Sequence, residues 1–514
     1  MAKFMSMQEA LELIKDGDTL GTEGFLSSAA PAAFYEALEE KFLQTGKPCN
    51  LTLVYAAGQG DGKGAGMNHI AHEKLLKRVI GGHWNLSPSL GKLASEEKIE
   101  AYNFPQGVLA QMFRDTAAGK IGTITHVGLK TYVDPRLDGG KLNKKTTEDL
   151  VKLINLEGKE LLLYKSIPFD VCVIRATTAD EKGNISMNKE GVTLGVTSLA
   201  QATKNSGGKV IVQVERVVKN STLHPKNVEI PHIYVDAIVV VPHDQHMPEA
   251  NPEMIDVYAG NIRIPTGSLP GIPLDERKIM GRRAAMELKP GSVVNLGIGV
   301  PEAVAAVANE EGIGDFMTLT VEAGAVGGIP ANGSLFGVSI NPDSILDQPY
   351  QFDFYDGGGI DLAYLGMAEA DEKGNVNVSK MGTRIVGAGG FINISQNAKR
   401  QFFCGSFTAK GLEVQAKDGK LTIIKEGSVK KFIKQVGHVT FSGEHAVDTK
   451  QPVLYITERA VFELRSDGVH LIEVAPGIDI EKDILAHMDF KPKMDTPPKL
   501  MDARIFTDKP MGLK

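Results

Sequence analysis

Ala179-Asp180-Glu181-Lys182-Gly183-Asn184 recurs, letter for letter, as Ala370-Asp371-Glu372-Lys373-Gly374-Asn375. Each copy follows an apolar run with the character of a strand, Val171 to Ile174 in the first and Leu362 to Leu365 in the second. Polar residues closing on Gly-Asn predict a hairpin turn with glycine at a left-handed position. A second match lies upstream of the first. Met7 to Lys15 has helical spacing, Asp16-Gly17-Asp18 ends it, a strand starts at Thr19, and Pro31 opens a helix over Ala32 to Lys41. Lys278 to Leu288, Pro290-Gly291, the strand Ser292 to Leu296, Gly297-Ile298-Gly299 and Pro301 before Glu302 to Asn309 repeat that order. Two matches in the same sequence order predict a duplication.

Working outward, both halves alternate apolar strands with helical patterns. The strands are Leu51–Tyr55, Val210–Val214, Ala237–Val241, Met317–Val321 and Arg384–Gly387. That alternation predicts an α/β fold: two tandem, related, open α/β domains with mainly parallel sheets. The boundaries are read as 1–242, a proline-rich linker over 243–273, and 274–514. The two matches are spaced more widely in the first half, which places an insertion near 58–145. The tail from Asp489 is expected to pack loosely or to extend along a neighbour.

The bulk composition is that of a globular chain. The net charge of -7 over 514 residues gives no reason to expect nucleic acid or an anionic membrane as partner. Three widely spaced cysteines, Cys49, Cys172 and Cys404, imply a reducing compartment and buried thiols. The first residues, Met1-Ala2-Lys3-Phe4-Met5-Ser6, lack the basic, apolar and cleavage regions of a signal peptide. The longest apolar run, Ile233 to Val241, is broken by Asp236 and is too short to span a bilayer. A cytoplasmic location is expected.

Ligands of open α/β sheets bind beyond the carboxyl ends of strands. Leu319-Thr320-Val321-Glu322-Ala323-Gly324-Ala325-Val326-Gly327-Gly328 puts one carboxylate at such an end, followed by small residues. The expectation is that the missing bulk lets a large reactant reach Glu322. Gly387-Ala388-Gly389-Gly390-Phe391 follows a strand and can offer backbone N–H groups to phosphate or carbonyl oxygen. Gly297-Ile298-Gly299 has Glu302 where a dinucleotide fingerprint needs its third glycine, and Gly58-Gln59-Gly60-Asp61-Gly62 lacks the Lys-Ser/Thr of a P-loop. His69 and His72-Glu73 could share a helix face but have no third ligand at useful spacing, so no metal site is expected. Trp84 is read as a core anchor.

Val321 to Gly328 resembles the active-site segment of class I coenzyme A transferases, in particular single-chain acetate and propionate CoA-transferases. Gly24-Phe25 is similar to the N-terminal signature of that family, with Glu23 where a glycine is usual. Pro105-Gln106-Gly107 resembles the Pro-Gln-Gly whose Gln holds the thioester oxygen, and Gly387 to Phe391 resembles the glycine loop facing CoA. The resemblance spans nearly the whole chain. It implies the CoA-transferase fold with an active site between the halves, and Glu322 and Gln106 as catalytic residues. Gly297, Gly299, Gly387, Gly389 and Gly390 become candidate coenzyme-binding positions. CoA would be a substrate, with no tightly bound cofactor. The partners implied are acyl-CoA and short-chain carboxylates, and the assembly implied is a homo-oligomer such as a tetramer.

The reaction implied is CoA transfer between acetyl-, propionyl- or similar CoA and another short-chain carboxylate, by a ping-pong route through an acyl-glutamyl anhydride and a glutamyl-CoA thioester on Glu322. A short-chain acyl-CoA hydrolase using the same glutamate is the nearest alternative. An NAD-dependent dehydrogenase would need the complete fingerprint that the sequence lacks. A binding protein without catalysis would be indifferent to replacement of Glu322.

Overall fold

The computed structural model describes residues 2–246, 252–265, 271–494 and 497–513. Parts of the expected linker (247–251 and 266–270) and of the tail (495–496 and 514) lie outside the described residues. The chain forms two compact units, and neither is continuous in sequence. One comprises 1–264, 321–353 and 382–393; the other comprises 265–320, 354–381 and 394–514.

The first unit is built on a parallel sheet. Its order is Lys3–Phe4, Ala237–Val240, Lys209–Val218, Val171–Asp180, Thr19–Thr22, Leu51–Tyr55, Leu76–Gly81 and Glu100–Asn103. Every one of these neighbours pairs parallel. The central strand Val171–Asp180 is buried along all ten residues, as expected of a strand covered on both faces. Leu20, Phe34, Tyr55, Val79, Val173 and Ile211 belong to the core that the sheet and its helices enclose. A separate antiparallel sheet, Gly122–Thr125, Lys159–Lys165 and Val151–Leu156, follows the helix Gln106–Ala117.

In the second unit the strands run in the order Met317–Thr320, Ser292–Leu296, Leu362–Gly366, Arg400–Cys404 and Val453–Ile456, all parallel. The sheet continues antiparallel through Ala460–Arg465 and Gly468–Val474. Ile279, Val294, Tyr364, Phe402 and Ile456 belong to its own core.

The five parallel strands of the second unit match five of the first, position for position. Ser292–Leu296 takes the place of Thr19–Thr22, Leu362–Gly366 that of Val171–Asp180, Arg400–Cys404 that of Lys209–Val218, Val453–Ile456 that of Ala237–Val240, and Met317–Thr320 that of Leu51–Tyr55. The repeated hexapeptide makes the same turn twice. Asp180 Oδ1 accepts the N–H groups of Lys182, Gly183 and Asn184, and Asn184 Nδ2 donates to Asp180 Oδ2. Asp371 Oδ1 accepts those of Lys373 and Asn375, and Asn375 Nδ2 donates to Asp371 Oδ2. Gly183 and Gly374 have φ of 101° and 78°, where a Cβ is strained.

Two details differ from the sequence reading. The first helix is only Met7–Leu11, closed at its N-terminus by a capping box between Ser6 and Glu9. Arg384–Ile385 is not a strand of the parallel sheet: it is two residues long and pairs only with Lys380–Met381. An apolar pair before glycines carries too little pattern to separate a sheet strand from a loop excursion.

Asp180→Ala removes the one acceptor shared by three backbone N–H groups. It is expected to lower the stability of the first unit by roughly 1–3 kcal/mol, seen as a lower melting temperature by circular dichroism.

Candidate active site

Glu322 stands two residues past the strand Met317–Thr320, on a tight turn in which the Val321 N–H donates to the Ala325 carbonyl and the Gly324 N–H to the Val321 carbonyl. The small residues after it serve packing. A Cβ on Gly324 would lie 1.9 Å from the Leu346 carbonyl oxygen, on Gly327 2.2 Å from Asp343 Oδ2, and on Gly328 2.4 Å from the Ile340 carbonyl oxygen. The expectation that these glycines leave room for a reactant is therefore corrected: the chain's own segment 340–346 fills that space.

Part of Glu322 remains open to solvent, yet the crowding around its carboxyl removes enough water to push its pKa up to about 7. Its own backbone N–H is the one group that opposes this shift, and no ion pair to it occurs among the described residues. The backbone of Glu322 is held by Gln348, whose Nε2 donates to the Glu322 carbonyl at 3.4 Å.

Gln348 and Phe352 lie one turn apart on the helix Gln348–Asp356, so they share a face. Both are fully buried. Phe352 packs on Gly107, where a Cβ would come within 2.5 Å of its ring and of Asn393 Nδ2. One helix face thus ties the chain at Glu322 to the start of the helix Gln106–Ala117.

That start carries Gln106. Its N–H donates to the Gly389 carbonyl at 2.9 Å, and the Gly107 N–H to Asn393 Oδ1 at 3.1 Å. Two of the N–H groups that a helix leaves unpaired at its first turn are taken up by the loop 387–393. The Gln106 side chain is 2% exposed, and its Nε2 is buried with no acceptor among the described residues.

The loop itself is tightly held. The Ala388 N–H donates to Asn103 Oδ1 and the Gly389 N–H to the Gly82 carbonyl, while the Trp84 N–H donates to the Val386 carbonyl. Gly389, which has a φ of 55°, therefore has no free N–H to offer. The Gly390 N–H has no acceptor among the described residues. Gly387 permits close packing on His83 and Trp84, since a Cβ there would lie 2.9 Å from the Trp84 nitrogen.

Gln106, Gly387, Gly389, Gly390 and Glu322 all belong to the first unit. Gly297 and Gly299 belong to the second, at the end of the strand Ser292–Leu296. The Gly297 N–H donates to the Tyr364 carbonyl, and Gly299 has a φ of 90° with open space beside it.

Besides Gln348, two residues of the site escaped the sequence reading. Asn103 donates to the carbonyls of Gly81 and Gly82, and its Oδ1 accepts from Tyr132 as well as from Ala388. His83 lies beside the loop, partly exposed as a residue, but its Nδ1 is buried without a partner among the described residues, and loss of water pushes its pKa down to about 4, so it is neutral. Its place in Gly81-Gly82-His83-Trp84 was the signal available. His69 lies on the short 3-10 helix Gly66–Ile70 and His72 beyond its end, so they share no helix face, yet both bond to Glu39; no metal-binding group occurs among the described residues. Trp84 is fully buried, as expected.

The coenzyme A transferase family profile matches residues 4–241. The whole chain is 47% identical over 519 residues to the caffeate CoA-transferase of Acetobacterium woodii, covering 100% of this chain and 99% of that one. This chain is a coenzyme A transferase. It is also 45% identical over 511 residues to the acetate CoA-transferase YdiF of Escherichia coli (strain K12), covering 99% and 96% of the two chains. The crystal structure of the acyl-CoA transferase YdiF apoenzyme from Escherichia coli O157:H7 superposes with a TM-score of 0.94 at 44% identity, covering 99% of this chain and 97% of that one. A thioester complex of that enzyme with CoA superposes with a TM-score of 0.93 at 44% identity, with the same coverage. The transferase activity and acyl-CoA as substrate follow from family membership. Among the described residues no helix is long and apolar enough to cross a membrane.

Asn103→Ala removes the acceptor of the buried Ala388 N–H and one donor from each of the Gly81 and Gly82 carbonyls. It is expected to cost about 1–3 kcal/mol and to slow CoA transfer, read as a drop in kcat in a coupled transfer assay. A kcat unchanged from that of the wild type would show that Asn103 does not hold the loop in its working form.

Proposed function

We propose that this CoA transferase moves CoA from a short-chain acyl-CoA to a second carboxylate by a ping-pong route on Glu322. The observation that carries the reading is the Glu322 carboxyl: crowded, without a counter-ion among the described residues, and titrating at about 7. A carboxylate stabilised by a cation would be a poorer nucleophile, and one fully in water would be too well solvated.

The Glu322 carboxylate attacks the thioester carbonyl. The tetrahedral oxyanion collapses, CoA leaves as a thiolate, and an acyl-glutamyl anhydride remains. The thiolate then attacks the glutamyl carbonyl of the anhydride, the first acid leaves as its carboxylate, and Glu322 carries CoA as a thioester. A second carboxylate runs the two steps in reverse and frees Glu322. No water, ATP or metal enters the balance, so the thioester bond energy passes from one acyl group to the next.

Each tetrahedral species needs donors for its oxyanion. Gln106 Nε2 and the Gly390 N–H are donors beside this loop without an acceptor among the described residues, and we assign them this role. Preorganised donors of this kind contribute on the order of 10²–10³ in rate each. The glycines of the loop, together with Gly297 and Gly299, are proposed as surfaces along which CoA lies, its distant contacts supplying binding energy to the reacting end.

Acetate and propionate are the proposed acids, supported by the likeness to an acetate CoA-transferase. The likeness to a caffeate CoA-transferase favours a second reading in which an aromatic propenoate is also accepted. A homo-oligomer remains the proposed assembly, on the family resemblance alone.

Incubation with acetyl-CoA and no acceptor acid is expected to leave a CoA adduct on the Glu322 peptide, visible by mass spectrometry and discharged by propionate or, on the second reading, by caffeate. Steady CoA release with no adduct would instead make the enzyme a hydrolase. Glu322→Gln is expected to abolish both adduct and transfer. Because attack needs the ionised form, kcat/KM for acetyl-CoA is expected to rise with pH through about 7. Gln106→Ala is expected to lower kcat by about tenfold or more while the adduct still forms.

A further inference from the structure

Glu23 is the residue that departs from the family signature, and the structure gives it a place of its own. It follows the strand Thr19–Thr22 and is fully buried. Its two carboxyl oxygens make no hydrogen bond of ordinary geometry among the described residues. They face the backbone N–H groups of Gly195 and Gly24, and a Cβ on Gly195 would come 2.7 Å from Oε1. Glycine at 195 is thus what admits the carboxyl.

Gly195 ends a turn with an unusual backbone. Leu194, fully buried, has a φ of 55°, a conformation that a leucine holds only when its surroundings enforce it. The helix Val196–Asn205 begins directly after, without a side-chain cap. On its other side the turn is bonded to the segment that holds Glu322. The Gln348 N–H donates to the Leu194 carbonyl at 3.0 Å, and Thr193 Oγ1 donates to Asp347 Oδ1 at 2.8 Å. Gln348 Nε2 reaches the Glu322 carbonyl.

We propose that Glu23 is a positioning residue for Glu322. Its neutral carboxyl seats the turn Thr193–Gly195, the turn fixes Gln348, and Gln348 fixes the backbone from which the Glu322 carboxyl attacks. The inference rests on Glu322 being the acyl acceptor.

The neutral form follows from the surroundings. Burial outweighs the two backbone N–H groups and pushes the Glu23 pKa up to about 8. On the helix Ala32–Thr45, Tyr35 faces it and is itself kept protonated by burial. On the strand Val171–Asp180, the guanidinium of Arg175 is taken by Glu190. From the helix Gln106–Ala117, the ring of Phe113 lies on the same Gly195 position, 3.6 Å from a Cβ placed there. No cation pairs with Glu23 among the described residues, so ionisation above about pH 8 would leave an uncompensated charge against the turn.

The test uses the full chain and acetyl-CoA alone, following the rate of CoA adduct formation on the Glu322 peptide from about pH 6 to about pH 10. Glu23→Ala is expected to slow this rate by about tenfold or more at neutral pH, with the half-saturating acetyl-CoA concentration moved by less than about threefold. Glu23→Gln, which fills the same space and cannot ionise, is expected to recover most of the loss and to lack the decline that the wild type shows above about pH 8. Gln348→Ala is expected to resemble Glu23→Ala, and the double variant to be no more than about threefold slower than the slower single one, because both act along one path.

An unchanged rate in Glu23→Ala would overturn the proposal. So would a double variant whose losses multiply, or an alkaline decline that persists in Glu23→Gln. Should Glu23→Ala not fold, the Glu23→Gln profile and Gln348→Ala decide. If the wild type forms no adduct, Glu322 is not the acceptor and both readings fall; an adduct in the wild type with Glu23→Ala unimpaired overturns this one alone.

Discussion

The site hangs on the meeting of a helix start with a loop. A helix leaves its first N–H groups without intrahelical partners. Here the N–H groups of Gln106 and Gly107 find theirs in the Gly389 carbonyl and the Asn393 side chain. With the backbone of Gln106 spent in this way, its side-chain Nε2 is left buried and without an acceptor among the described residues. The same contact fixes the loop, whose Ala388 and Gly389 N–H groups turn back to Asn103 and Gly82 and whose Gly390 N–H has no acceptor among the described residues. A buried donor without a partner costs stability. Two of them left beside one loop are a cost that a fold retains when another molecule supplies the acceptor.

The duplication explains where the carboxylate sits. The strands Leu51–Tyr55 and Met317–Thr320 hold equivalent positions in two sheets of the same order. After the first the chain runs Ala56-Ala57-Gly58-Gln59; after the second it runs Val321-Glu322-Ala323-Gly324. The two copies share a scaffold and differ in what they place at the strand end. After that point the second copy also departs in its packing: residues 321–353 leave the unit of their own strand and belong to the first unit, with Gln106 and the glycine loop.

That departure marks the limit of what the sequence makes legible. The duplicated turn could be read directly, because the aspartate, glycine and asparagine that make it are neighbours in the chain. The parallel strands could be read because burial on both faces leaves long apolar runs. Glu322 stood out because a lone carboxylate among small residues is conspicuous, and Gln106 because Pro105-Gln106-Gly107 resembles a family tripeptide; the roles of both remain proposals. The reason for the glycines was misread, since their spaces are filled by residues 340–346 that no local pattern announces. Asn103, His83 and Gln348 were missed for the same cause. Asn103 and Gln348 act on backbone far away in sequence and His83 packs on Gly387, and nothing in the composition around them differs from ordinary core.

Glu23 and Glu322 show how one effect, loss of water, serves opposite ends. Both carboxyls titrate well above an ordinary glutamate, at about 8 and about 7, and burial is the largest cause for each. Glu322 keeps part of its surface open, so a reactant can reach it, and on the proposed mechanism it works only after losing its proton. Glu23 is sealed, so nothing reaches it, and on the proposed linkage it works only while keeping its proton. The two requirements overlap between the two values. Within that interval the proposed nucleophile is increasingly ionised while its proposed support still keeps its proton.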